Sequence, residues 1–457
     1  MNDSRRLLRG ISANLVALGT RIAVQFATLP IFFASWTVEA VGSWLILFAV
    51  PAYLALVGNG FAGAGGTAAL GAASAGDLPR ARRDFRAAWA ISAGSTAVLA
   101  ILFASASIFL LPVFTSEGQT LDLWDIGQAA AWLALYIFAT SQMAVFDIPY
   151  RVAGRYPDHI FLYNAASLCE IAVIALAVSL SDSFATLSMA LALFRCLSAW
   201  VIYRSSRRAA PQMFEEGHGN LRNSLADLWK PSLAFMLMPI VFGLNLQGYL
   251  LLVGASFGAA MLAGFAATRT LTRLLDLITN VSFGLQFYES GYIQGDRRAI
   301  QRRMLATTTL VSLVIAIVFT ILLLATGPWL QDLYTLGKTS FDTGVALILM
   351  AAATLRNLSA APVAVLAADN AHARMVMGYL ATSALALLVA IGLGMGGASL
   401  PLVLAPLVLA EASQFIPSMR RALGALDWSA GELLAALGSR ERLSDVGLLV
   451  RKLAKRS

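Results

Sequence analysis

An all-α polytopic membrane protein, with twelve transmembrane helices in two parallel six-helix repeats around a central cavity, is the fold class that the sequence predicts. Three observations predict it. The 457 residues are 58% hydrophobic and only 13% charged, with a mean hydropathy of +0.73, a balance foreign to soluble domains. Apolar stretches of about 20 residues, the length that a bilayer core of roughly 30 Å requires, recur along the whole chain. The basic residues, finally, sort to alternate connections between those stretches, as the positive-inside rule demands.

The first span, 12–34, follows Arg5, Arg6 and Arg9. A basic start and an apolar run resemble a signal peptide, but Arg21 interrupts the run and no small-x-small cleavage site follows, so the segment is kept as a span. The second, 43–66, ends in Gly58-Asn59-Gly60-Phe61-Ala62-Gly63. That string matches G-x-G-x-x-G, yet it closes an apolar span and does not join a strand to a helix, so it serves bending or close packing. Spans at 88–113, 126–147, 160–181 and 184–203 follow, with Arg80, Arg82, Arg83 and Arg86, then Arg151 and Arg155, on the side of the N-terminus. The connection from Arg204 to Lys230 contains Pro211, Gly217 and Gly219 and reads as a flexible joint.

Beyond it lie spans at 231–254, 260–287, 304–327, 343–366, 375–394 and 399–419, the seventh and eighth being the least clearly separated. Arg297, Arg298, Arg302, Arg303 and Arg374 fall on the same side as the earlier clusters, together with a basic tail from Arg420 to Arg456; the opposite side keeps only Lys338. Both termini are therefore expected in the cytoplasm. The expected organisation is an N-terminal six-helix lobe (1–208), a cytoplasmic linker (209–230), a C-terminal lobe (231–419) and a basic cytoplasmic tail (420–457). Leu433, Leu434 and Leu437 among the tail's basic residues suit adsorption to anionic lipid.

The halves read as a repeat. A shift of 221 residues lays Ala34-Ser35-Trp36 on Ala255-Ser256-Phe257, Trp44 on Phe265 and Asn59 on Asn280; at 219, Gly76-Asp77 falls on Gly295-Asp296. Both halves start on the same side, so the repeats are parallel, an arrangement that transporters use to rock one half against the other.

Five arginines lie inside spans: Arg21, Arg195, Arg269, Arg273 and Arg356. A guanidinium at mid-bilayer costs roughly 2.5–3.5 kcal/mol on insertion scales, so each needs a counter-ion, a polar interior or an anionic substrate. Two have carboxylates at similar depth on neighbouring spans: Glu170 for Arg195, and Glu411 for Arg356. These read as structural ion pairs. Arg273 and Asp276 can neutralise each other at i, i+3. In span 1, Asn14, Leu18, Arg21 and Gln25 share one helical face, and in span 8 Arg269, Arg273, Asp276 and Asn280 share another. Polar stripes through two spans predict a hydrated cavity in which Arg21 and Arg269, lacking an evident acidic partner, bind an anion.

Other chemistries are disfavoured. His159, His218 and His372 are scattered without metal-ligand spacing, and no metal or cofactor is expected. There is no Walker A motif and no Ser/His/Asp grouping, so neither an ATP-driven pump nor an enzyme is expected. No basic patch interleaved with aromatics points to nucleic acid. Cys169 and Cys196 fall within spans and read as packing residues.

Asn14 and Arg21 in span 1, Pro30, Val41-Gly42-Ser43-Trp44-Leu45, Asn59-Gly60-Phe61 and the short Gly76-Asp77 loop before a basic segment together resemble polysaccharide flippases of the multidrug/oligosaccharidyl-lipid/polysaccharide exporter superfamily. The resemblance covers nearly the whole chain. It implies a cationic cavity lined by spans 1, 2, 7 and 8, with Arg21, Arg269 and Arg273 facing it; Asn14, Gln25 and Asn280 on the two polar stripes, with Asn59, are the further candidates for binding substrate. Asn59 stands where the family often has Asp, which removes an ionic role there. The implied substrate is an undecaprenyl-diphosphate-linked oligosaccharide crossing the bacterial inner membrane by alternating access, for surface polysaccharide biosynthesis such as O-antigen, capsule or exopolysaccharide. Asp276 is the candidate for proton or sodium coupling. Expected partners are the lipid-linked oligosaccharide, the membrane and other polysaccharide assembly proteins; the chain is expected as a monomer, with no nucleic acid. The alternatives are a cation-coupled multidrug antiporter of the same superfamily, which usually needs cavity carboxylates that span 1 lacks, and a membrane glycan polymerase or ligase, which needs a larger external loop.

Overall fold

The computed structural model describes residues 3–55, 57–114, 123–215, 228, 240–276, 297–368 and 373–439. Among them every regular element is helical. They form two compact units: Met1–Ala263 with Tyr334–Thr339, and Gly264–Leu333 with Ser340–Ser457.

In the first unit, α1 (Asp3–Ser35), α2 (Val38–Leu54) and α3 (Val57–Ser74) carry the first two spans. Span 2 is thus not one helix. α2 closes at Ala55, whose N–H donates to the Pro51 carbonyl at 3.0 Å, and α3 starts with the glycine-rich string. Glycines then let α3 lie close to α4 (Leu78–Phe114): a Cβ built on Gly65 falls 2.3 Å from that of Ala88. α5 (Leu123–Val145), short α6 (Asp147–Val152), α7 (Tyr156–Leu180) and α8 (Phe184–Ala209) complete the first six spans. α5 packs on α4 and α8, α7 on α1 and α8. Cys169 lies exposed on α7, not packed inside the unit as its position within a span suggested.

The start of the linker is docked on the first unit. Ala210 and Met213 are buried in the same apolar cluster as Phe85 and Phe146. Arg82 pairs with Glu215 at 2.6 Å, and Arg86 donates to the carbonyl of Glu215. Residues 216–227 lie outside the described residues.

Spans 7 and 8 meet in α9 (Tyr249–Thr272), preceded by a wide turn of helix at Leu244–Gly248 and followed by a tight one at Arg273–Leu275. The apolar run Ile240–Leu275 has 36 residues; as one helix it would be about 54 Å long, far more than a bilayer core. It turns at Gly258, whose φ of 82° and ψ of 172° are non-helical and belong to a region that is essentially glycine-only. The repeat is visible here. The turn between α1 and α2 falls at Trp36-Thr37, and Phe257-Gly258 is its counterpart 221 residues on. Trp44 and Phe265, aligned by the same shift, are both buried.

Gly42 explains itself at this turn. A Cβ there would stand 1.9 Å from the carbonyl oxygen of Ala259, and a backbone atom cannot swing aside. Gly42→Ala should therefore destabilise by about 1–3 kcal/mol, the usual cost of overpacking, read as a lower melting temperature of the purified protein. Lys338, the lysine isolated by the charge sorting, also has a role: its Nζ donates to the carbonyls of Phe33 and Trp36 at 2.6 and 2.9 Å. It caps the C-terminal end of α1, where the helix dipole favours a cation.

The second unit holds the later part of α9, most of α10 (Arg297–Thr335), α11 (Thr343–Ala368), α12 (Ala373–Met395), α13 (Leu400–Ala425) and α14 (Ala430–Leu437). α13 packs on both α11 and α12. α14 starts with a capping box between Ser429 and Glu432; Leu433 is buried and Leu434 exposed. Among the described residues, ten helical runs are long and apolar enough to cross a membrane, with Val38–Leu54 a shorter apolar helix. Once Ile240–Leu275 is divided at Gly258 and α2 is included, the twelve spans are accounted for.

Candidate functional site

The span carboxylates define the electrostatics. In the first unit, Glu170 on α7 forms an ion pair with Arg195 on α8. The Tyr136 hydroxyl on α5 donates to Glu170 Oε1 at 3.3 Å, and the Arg195 guanidinium lies 5.5 Å from the Tyr136 ring centroid. Both charged residues are buried. Two ions taken out of water need good geometry and further hydrogen bonds; the tyrosine supplies one and a polarisable face as well.

The second unit repeats the chemistry and extends it. Arg356 Nε donates to Glu411 Oε1 at 3.0 Å, and Tyr379 on α12 donates to Glu411 Oε2 at 2.8 Å. Glu411 is fully buried, so both its oxygens are engaged within the protein. Arg356 Nη1 also donates to Asp276 Oδ1 at 3.0 Å, and Asp276 Oδ2 lies 3.6 Å from Arg273 Nε. Tyr379, Glu411, Arg356, Asp276 and Arg273 thus form one polar chain from α12 through α13 and α11 to the end of α9.

The two triads are related but not identical. In each half the last three spans contribute one residue apiece to a set of tyrosine, glutamate and arginine. Their order is Tyr136, Glu170, Arg195 in the first half and Arg356, Tyr379, Glu411 in the second.

The anion-binding candidates are arranged differently. Arg21 is exposed on α1, with no hydrogen bond or ion pair among the described residues. Gln25, one turn on, is half-buried and its backbone carbonyl accepts from the Tyr334 hydroxyl at 3.0 Å. Arg269 is half-buried on α9, its guanidinium 5.6 Å from the Phe265 ring centroid. Arg273 keeps 39% of its side chain exposed, against 13% for Arg356, so Arg273 remains accessible where Arg356 is enclosed. Asn14 and Asn59 lie in α1 and α3, while the side chains of both and the whole of Asn280 fall outside the described residues.

Sequence reasoning missed two participants and one contact. Tyr136 and Tyr379 gave no signal beyond being tyrosines within spans, although a buried carboxylate that its cation engages through one oxygen leaves the other in need of a donor. The contact from Arg356 to Asp276 was hidden because Asp276 already had a local partner in Arg273. His159, in contrast, is a satisfied buried histidine: it faces the Met143 carbonyl at 3.0 Å and Asp147 at 3.2 Å. No group of three or more His, Cys, Asp or Glu side chains able to hold a metal occurs among the described residues.

No protein-family model matches the chain, and no curated protein matches it. Its fold, however, is found among solved structures. A multidrug resistance MATE family transporter of the MOP superfamily, in an inward-facing conformation, superposes with a TM-score of 0.68 at 13% identity, covering 90% of this chain and 98% of that one. The eukaryotic MATE transporter AtDTX14 gives 0.63 at 13% identity, over 92% and 99% of the two chains. The MATE transporter ClbM, in complex with Rb+, gives 0.56 at 14% identity, over 94% and 96%. The chain has the MATE fold over nearly its full length: twelve membrane-spanning helices in two repeats.

Proposed function

We propose that this protein is a membrane exporter whose substrate is anionic, and specifically a lipid-linked oligosaccharide joined to its polyprenyl carrier through pyrophosphate. One observation carries the reading. The carboxylates deep in the described spans, Glu170, Glu411 and Asp276, are each bound to arginine, whereas Arg21 is exposed with no described partner. The surplus charge on the polar stripes is positive. Guanidiniums suit phosphate oxygens because they stay charged and donate in a planar fork. Arg21, and separately Arg269 with Arg273, are the groups we assign to the phosphates. Sugars would travel along a wet path while the polyprenyl tail stays in lipid, and alternating access of the 1–208 and 231–419 lobes is the transport mode. Asp276, with 21% of its side chain exposed, is the carboxylate best suited to couple a proton or sodium ion.

A cation-coupled multidrug antiporter is the second reading. The solved structures of this fold that resemble the chain include multidrug transporters, and on that ground alone the antiporter is the better supported. The charge inventory argues the other way, since a cationic drug needs a free carboxylate. Reconstitution into vesicles decides between them. The lipid-linked pyrophosphoryl oligosaccharide should cross when the protein is present and cationic dyes should not; dye transport with no glycan movement would overturn the first reading.

A further inference from the structure

Between α12 and α13 runs a groove of about 520 Å³ that meets the polar chain described above at Tyr379. Its walls are single faces of two helices: Met375, Gly378, Tyr379 and Thr382 on α12, and the stretch from Leu409 to Arg421 on α13. Those twelve steps of α13 rise about 18 Å. One leaflet of a bilayer core is about 15 Å deep, half of the roughly 30 Å total. The groove is thus one leaflet long, and Arg421 stands at its end, on the side where the chain collects its basic residues. Arg421 is exposed and has no partner among the described residues.

The rest of the groove suits a hydrocarbon chain. Leu409 and Ile416 are 71% and 53% exposed, the pattern of a surface turned toward lipid. The two hydroxyls partway along form one linked pair: Thr382 and Ser413 are 2.5 Å apart, one donating to the other, and the accepting hydroxyl donates its own proton to a carbonyl of its helix. Neither leaves an unmet polar group facing the groove. Gly378 opens the space, since a Cβ built there meets nothing within 4 Å.

We propose that this groove binds an anionic phospholipid, with one acyl chain lying between α12 and α13 and the phosphate held by Arg421. The inference is independent of the transported substrate. Its consequence reaches inward, because Tyr379 forms part of the groove wall and its hydroxyl holds Glu411. A lipid seated there packs on the tyrosine that ends the polar chain through Arg356 to Asp276.

Native mass spectrometry of the purified full chain, titrated with phosphatidylglycerol, tests the proposal. The unaltered protein should retain one tightly bound phosphatidylglycerol in preference to phosphatidylethanolamine. Arg421→Gln should weaken that binding roughly tenfold, as expected for loss of one charge-assisted contact. Gly378→Trp should abolish it by filling the groove. Both variants should elute as a single species and melt, lipid-free, as the parent does. Equal retention of phosphatidylglycerol by the parent and both folded variants would overturn the proposal. So would selective retention of a polyprenyl phosphate in its place, or no preference between the two phospholipids. Should Gly378→Trp fail to fold, Arg421→Gln and Ile416→Trp, which blocks the groove from the α13 side, give the same two readouts.

Discussion

Replacing Glu411 by alanine should cost about 3–5 kcal/mol, the penalty for breaking a buried ion pair by removing one partner. The carboxylate is fully buried and engages Arg356 and Tyr379 at once. Without it Arg356 keeps only Asp276, and the Tyr379 hydroxyl has lost its acceptor. The loss should appear as a sharp fall in the monodisperse fraction after detergent extraction and in the melting temperature. Tyr379→Phe should cost less, about 1.5–3 kcal/mol for one hydrogen bond to a charged group. Exchanging Arg356, Glu411 and Tyr379 together for methionine, leucine and phenylalanine should recover part of the loss, because apolar packing can replace a buried pair when no partner is left unsatisfied. If Glu411→Ala melted like the parent, the polar chain would not hold the second unit together.

The second large effect concerns transport and leaves stability alone. Arg21→Ala should lower export of the lipid-linked oligosaccharide about 10–100-fold, the equivalent of about 1.5–3 kcal/mol for a charge-assisted contact to phosphate. Arg269→Ala should act in the same direction and by a similar factor. Since Arg21 is exposed without a described partner, its removal should not move the melting temperature. Arg21→Lys should restore part of the rate, keeping the charge and losing the fork. A cation antiporter makes the opposite forecast: removing either arginine eases entry of a cation and raises drug efflux. Wild-type glycan export by both alanine variants would refute the assignment.

Much of the architecture was legible because membrane spans obey a length rule that short-range sequence can display. Span 2 was the exception: 43–66 is a continuous apolar run, and hydropathy does not register that two helices, Val38–Leu54 and Val57–Ser74, share it. The turn at Gly258 was legible as the gap between the spans 231–254 and 260–287, and the repeat that lays Trp36 on Phe257 points to the same place. At the candidate site, Arg195 with Glu170 and Arg356 with Glu411 could be matched because an isolated charge within a span has few partners at its depth. Arg356 with Asp276 could not, since that contact depends on how the end of α9 lies against α11. The tyrosines were invisible for a different reason: a hydroxyl on an apolar ring looks the same in sequence whether it faces lipid or a carboxylate.

The permuted order of the two triads bears on how the chain assembles. Duplicated halves risk confusing equivalent helices while they insert and dock. Suppose α13 took the place of α8: Glu411 would then stand beside Glu170 with no cation. Were α12 to replace α7, Arg195 would meet Tyr379 and find no carboxylate. With α11 in place of α5, two arginines would compete for one glutamate. Each one-for-one exchange strands a charge in the membrane interior, at a cost of several kcal/mol. By charge alone, the rotation of Tyr, Glu and Arg among the last three spans would thus favour each half closing on its own helices.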